Sequence, residues 1–131
     1  MEKAGTLTEL ARELFSDLDA ERFDQLAERA TDDVQGVDEI SRRWLRGRAA
    51  MQTYLNGLRG NITGIHSELR DPTEAVWGDV GVLTATLEQT YSLSGRNETI
   101  VAPTSILFRR EDGTWKFALL HSVPIPETPN S

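Results

Sequence analysis

The chain has 131 residues, 38% hydrophobic and 27% charged, the ordinary makeup of one soluble globular domain with a core of its own and no room for a second. A formal net charge of −7 and a pI near 4.8 oppose nucleic-acid binding, which needs a basic stripe to track phosphates. With no cysteine present, disulfides, thiolate metal sites and cysteine nucleophiles are excluded.

In chain order, the start at Met1–Thr6 lacks the apolar run of a signal peptide, and no stretch approaches a transmembrane helix in length. A cytoplasmic protein without a membrane partner is expected. Leu7, Leu10, Ala11, Leu14, Phe15 and Leu18 recur at steps of three and four, which predicts a first helix with one buried face. Thr6 and Glu9 have the spacing of a capping box at its start. Asp19 is the candidate cap of a second helix that buries Phe23, Leu26, Ala27 and Ala30. From Thr31 to Arg46 the period lapses. Val34, Val37 and Ile40 predict short extended pieces there, and Trp44-Leu45 another. Gly47 then opens a third helix, with Met51, Tyr54, Leu55 and Leu58 inward and Gly60 at its end. The arginines Arg42, Arg43, Arg46 and Arg48, like Arg109 and Arg110, read as solvated turn and strand ends.

Beyond Gly60 the pattern is that of strands. Ile62–Arg70 is the first, Asp71-Pro72 a break, and Ala75–Trp77 a short second one. Gly78-Asp79 signals a turn, and Val80–Leu93 alternates over a long strand. Ser94–Asn97 makes a hairpin loop, Thr99–Arg110 returns, Asp112-Gly113 turns again, and Trp115–Val123 closes the sheet. The prolines Pro124, Pro126 and Pro129 predict an extended tail over 125–131 after a core of about 7–124.

Helices followed by long meandering strands give an α+β chain. Thr31-Asp32-Asp33 through Leu45-Arg46-Gly47-Arg48-Ala49-Ala50-Met51 resembles the "D-D … G-R-E-x-[IM]" passage of the nuclear transport factor 2-like superfamily. Phe108-Arg109-Arg110-Glu111-Asp112-Gly113-Thr114-Trp115-Lys116-Phe117 resembles its "F-R-x-x-D-G-x-W-x-I" hairpin. Ketosteroid isomerases and SnoaL-like polyketide cyclases are the enzyme members it is most similar to. The resemblance implies a single domain shaped as a cone: a curved antiparallel sheet wrapped around three N-terminal helices, enclosing a pocket. It sets Asp38 on the isomerases' general base, and Leu14 and Ser105 where that family keeps its two oxyanion donors. A carboxylate at an apolar pocket's mouth can move a proton beside a carbonyl if burial raises its pKa, an effect that Arg46 or Arg48 nearby would oppose.

The pocket expected on this reading is bordered by Leu14, Phe15, Trp44, Tyr54, Leu87, Gln89, Tyr91, Ser105 and Leu120. Its occupant would be a small hydrophobic molecule. If Ser105 faces inward, strand alternation puts Pro103, Leu107, Ala118, Leu120 and Ser122 on the same side. Ile106, Phe108, Trp115, Phe117, Leu119 and His121 would then share the outer face. Such an apolar outer face predicts a symmetric homodimer through the sheet. His66, between Ile65 and Ser67, reads as structural. The two histidines lack metal-ligand spacing, and no nucleotide loop or nucleophile elbow occurs, so neither metal nor cofactor is expected. Three functions remain open. One is cofactor-free acid–base isomerisation, cyclisation or dehydration of a small hydrophobic carbonyl compound, with Tyr54, Tyr91 or Ser105 as donors beside Asp38. The others are non-catalytic ligand binding and a dimerisation module.

Overall fold

The structure, a computed structural model, describes residues 5–125. Most of the expected tail therefore lies outside the described residues.

Leu7, Ala11, Leu14 and Phe15 form the buried stripe of helix α1, Thr6–Asp19. The Thr6–Glu9 capping box is replaced by a longer-range device. Gly5, at φ 86°, occupies the cap position with no side-chain cap bond. Leu7 and Thr8 instead donate their backbone N–H groups to the Glu74 carboxylate at 3.2 and 2.8 Å, and the Thr8 hydroxyl donates to it too. A carboxylate at a helix N-terminus satisfies orphan donors and opposes the positive dipole end.

Helix α2, Phe23–Glu28, begins later than Asp19 implied, because Asp19 is the last residue of α1 and Arg22 occupies the cap position. The Asp19 carboxylate instead accepts from Ser67 N–H and Oγ at 2.9 and 2.6 Å. Strand β1 runs Ala30–Asp38, β2 is the pair Leu45–Arg46, and helix α3 spans Arg48–Leu58.

Strand β3, Ile62–Trp77, continues through Asp71-Pro72 where a break was expected. Its pairing with β4 shifts register between Arg70 and Thr73, and Asp71 takes φ 52°. A bulge absorbs the proline that a regular ladder would reject. Strands β4, Val80–Leu93, β5, Arg96–Glu111, and β6, Thr114–Ser122, complete the sheet. Two tight hairpins join them. Ser94-Gly95 and Asp112-Gly113 both have positive φ at the two central positions, the geometry that matches strand twist.

The sheet order is β2-β1-β6-β5-β4-β3, curved and unclosed. Neighbours are antiparallel except β1 and β6, which run parallel, a pairing that no local pattern announces. The helices cover the concave face, giving the α+β cone. At Gly81 the packing leaves no room for a side chain: a Cβ there would stand 2.6 Å from Leu7 Cδ1. No helix among the described residues is long and apolar enough to cross a membrane.

Candidate functional site

Between α1, α3 and the inner sheet face lies a cavity of about 100 Å³. Leu14 and Phe15 reach it from α1, Leu55 and Leu58 from α3, and Leu87, Ile100, Phe117 and Leu120 from the sheet. Its carboxylates and phenols meet in pairs, and β1 delivers the first of them. Asp38 ends that strand and Glu39 follows it.

Asp38 is half-buried and fixed by a local turn. Ser41 N–H donates to Asp38 Oδ1 at 2.7 Å, while Asp38 N–H donates to Ser41 Oγ at 3.0 Å. Arg42 N–H closes the turn on the Asp38 carbonyl at 3.0 Å. This reciprocal pattern belongs to short polar side chains that hydrogen-bond their own backbone. From α3, Tyr54 donates its hydroxyl to both carboxylate oxygens, at 2.9 and 3.0 Å. A second pair stands beside the first, with Tyr91 on β4 donating to Glu39 Oε2 at 3.2 Å.

Burial pushes both phenols above their ordinary value of 10.0, Tyr54 by the larger amount, and the facing carboxylate adds to each shift. Both hydroxyls therefore keep their protons as donors. Arg46 and Arg48 do not reach Asp38. Arg46 contacts Gln35 at 3.4 Å, and Arg48 pairs with Asp32 at 2.8 Å and donates to the Ala30 carbonyl.

Gln89 is buried on the same wall and joins a relay to α1. Ser67 Oγ spends its one proton on Asp19, so it accepts from Gln89 Nε2 at 3.0 Å. That bond fixes the amide orientation and leaves Gln89 Oε1 without a protein partner among the described residues. Ser122 pairs with Thr104 at 2.8 Å, and Thr104 donates to the Ala102 carbonyl.

Of the residues expected around the pocket, Asp38, Leu14, Phe15, Tyr54, Leu87, Gln89, Tyr91 and Leu120 line the cavity. Trp44 and Ser105 do not. Trp44 is 43% exposed, its ring centroid 6.2 Å from that of His121 and 5.9 Å from the Arg46 guanidinium carbon. Alternation along β2 explains this: Leu45 turns inward, so Trp44 and Arg46 turn out together.

Ser105 pairs with His121 across the β5–β6 ladder and shares its outer face. The inner residues of β5 are Ile100, Ala102, Thr104, Ile106 and Phe108, one step out of phase with the expected set. On β6 the register shifts between Phe108↔Phe117 and Leu107↔Leu119. That bulge lets Phe117 and Leu120 face the cavity together despite their odd spacing. Ile106, Phe108 and Phe117 thus move from the expected outer face to the core, whereas Leu120, Ser122 and His121 lie where alternation put them. Trp115 is half-buried against the core, with the Arg110 guanidinium 4.4 Å from its ring centroid. His66 is exposed beside Glu68 at 3.5 Å.

Sequence reasoning missed Glu39 and Ser41 as working parts of the site. An acid followed three residues later by serine is the spacing of such a turn, and could have flagged Ser41. Nothing local marks Glu39, whose partner Tyr91 is 52 residues away.

The profile of the SnoaL-like domain family matches residues 7–126. No curated protein matches the sequence. Among solved structures, a ketosteroid isomerase-like protein from Erwinia carotovora atroseptica superposes with a TM-score of 0.80 at 14% identity, over 96% of this chain and 98% of its own. An NTF2-like protein with a cystatin-like fold from Novosphingobium aromaticivorans gives 0.70 at 18% identity, over 98% and 94%. The CaMKII hub of S. rosetta gives 0.80 at 16% identity, over 95% and 98%. Likeness at these identities is one of fold.

Proposed function

The chain belongs to the SnoaL-like domain family, within the NTF2-like superfamily, and we propose that its cavity binds a small apolar molecule in the cytoplasm. The observation that carries this reading is the void itself, apolar over most of its wall with carboxylates and phenols meeting in pairs on it. That is the usual makeup of a small-ligand site. A dry cavity of about 150 Å³ is known to take benzene, so one of 100 Å³ suits a single ring or smaller. Native mass spectrometry of freshly purified protein should reveal a small adduct that leaves on denaturation. An adduct-free mass, together with no shift of the Leu87 and Ile100 methyl resonances under millimolar toluene, would overturn the reading.

A second reading, favoured by Asp38 on the cavity wall, is cofactor-free isomerisation, cyclisation or dehydration of a small carbonyl compound. Asp38 would accept the proton, and Tyr54 would hold its carboxylate in place. Replacing Asp38 with Asn keeps the shape and removes the base. Turnover should then fall by about two orders of magnitude or more while ligand still binds. Unchanged turnover in Asp38→Asn would remove Asp38 from the chemistry.

Assembly with a second copy is also part of this reading. Val82, Leu107 and Leu119 are in cross-strand register as an apolar row on the outer sheet face. One of the similar structures is itself a hub domain.

A further inference from the structure

We propose that the ligand of this cavity is a compact hydrophobic amine, its ammonium group set against the carboxylates of Asp38 and Glu39. The inference rests on the reading that the cavity binds a small apolar molecule, and it names the class of that molecule.

Charge comes first. The wall carries Asp38 and Glu39 but no lysine, arginine or histidine. Among the described residues neither acid has an ion pair, and their polar partners are Tyr54, Tyr91 and the Ser41 turn. Arg42 and Arg43, the cations nearest in sequence, are exposed and outside the wall, and Arg46 and Arg48 are engaged on Gln35 and Asp32. Carboxylates beside an apolar void are costly without a counter-charge, because the low-dielectric side cannot solvate them. A bound ammonium would supply it.

Proton accounting points the same way. Each phenol has one hydrogen, and both are given to the carboxylates. Thr104 gives its hydrogen to Ala102, so Ser122 must give its own to Thr104. The Gln35 side chain, which is exposed, accepts from Arg46 through its Oε1. What remains facing a ligand is almost all lone pairs: the carboxylates, the phenol and hydroxyl oxygens, and Gln89 Oε1. The uncommitted side-chain donors are amide hydrogens alone: the second of Gln89 Nε2, since the first goes to Ser67, and the two of the exposed Gln35 Nε2. A carbonyl compound finds no cationic donor here, only neutral amides, and a carboxylate finds two repelling charges. An ammonium or amine N–H finds acceptors on each polar element of the wall.

The test is a matched series of single-ring probes, all close to the cavity in size: toluene, benzylamine, benzaldehyde and benzoate. Each is titrated at neutral pH into the full chain, with binding read from methyl and backbone NMR shifts. Benzylamine should bind about tenfold tighter than toluene or better, with benzaldehyde no tighter than toluene and benzoate weakest. The double substitution Asp38→Asn with Glu39→Gln should erase the amine's advantage over toluene. If toluene binds but benzaldehyde or benzoate matches benzylamine, the amine inference is wrong and the pocket reading stands. If neither toluene nor benzylamine binds, the pocket reading falls and takes this inference with it. The four probes are compared on the unaltered chain, so their ranking decides the matter even where the double variant misfolds.

Discussion

At the residue scale, the site is defined by two phenol–carboxylate pairs, Tyr54 with Asp38 and Tyr91 with Glu39. The chain has only two tyrosines, so its tyrosinate absorbance reports on these pairs alone. Burial first and the facing acid second raise both phenol pKa values in the folded state, so folding favours the protonated form. That stabilisation is complete below the unfolded value of about 10 and is lost as pH climbs above it. Alkaline titration should therefore show no separate tyrosinate step. The absorbance should rise together with loss of far-ultraviolet circular dichroism. A tyrosinate signal from protein that is still folded near pH 10.5 would mean that the phenols are not buried against their acids. Sequence inspection placed Asp38, Tyr54 and Tyr91 in one pocket. It could not pair them, because a hydrogen bond across 16 or 52 residues leaves no local trace.

At the element scale, α1 is tied to β3 at both ends by single side chains. Glu74 takes the first N–H groups of the helix, and Asp19 at its end takes Ser67. The helix forms the cavity's roof through Leu14 and Phe15, so these ties also position the site. Replacing Glu74 with Ala should cost about 1 kcal/mol, the typical loss when a side-chain cap is removed. Urea denaturation would show this as a lower midpoint at constant slope. A midpoint unchanged within error would mean that water serves the helix end equally well. The sequence showed α1 clearly but misassigned its cap, because Thr6–Glu9 matches a local motif whereas Glu74 competes from 66 and 67 residues away. Bulges produced two further element-level differences. The one on β3 joined two expected strands at Asp71-Pro72, and the one on β6 broke strict alternation between Phe117 and Leu120.

At the scale of the whole molecule, the outer sheet face bears on assembly. The outer face is less apolar than alternation implied, since Ile106, Phe108 and Phe117 belong to the core. What remains is the row Val82–Leu107–Leu119, with Val101 54% exposed on the same face. We propose a symmetric homodimer through this surface, which a monomer would leave wetted. Sedimentation at micromolar concentration should give twice the chain mass, and Leu107→Asp should halve it. A monomer in both experiments would rule this assembly out.

The sequence by itself determined the number and order of the helices and their buried faces, the last three strands in outline and both tight hairpins. These follow from periodicity, glycine and turn chemistry, all of which act over a few residues. It also singled out Asp38 through a short passage similar to a known superfamily. Only the tertiary structure decided which face of β5 looks inward, that β1 joins β6 in parallel, and that Trp44 and Ser105 stand outside the cavity. One residue of register reverses every side chain on a strand, and register is set by pairing and bulges between distant segments. The acid–phenol pairs have the same origin: β1 brings the acids, α3 and β4 bring the phenols, and only the closed cone puts them within hydrogen-bond reach.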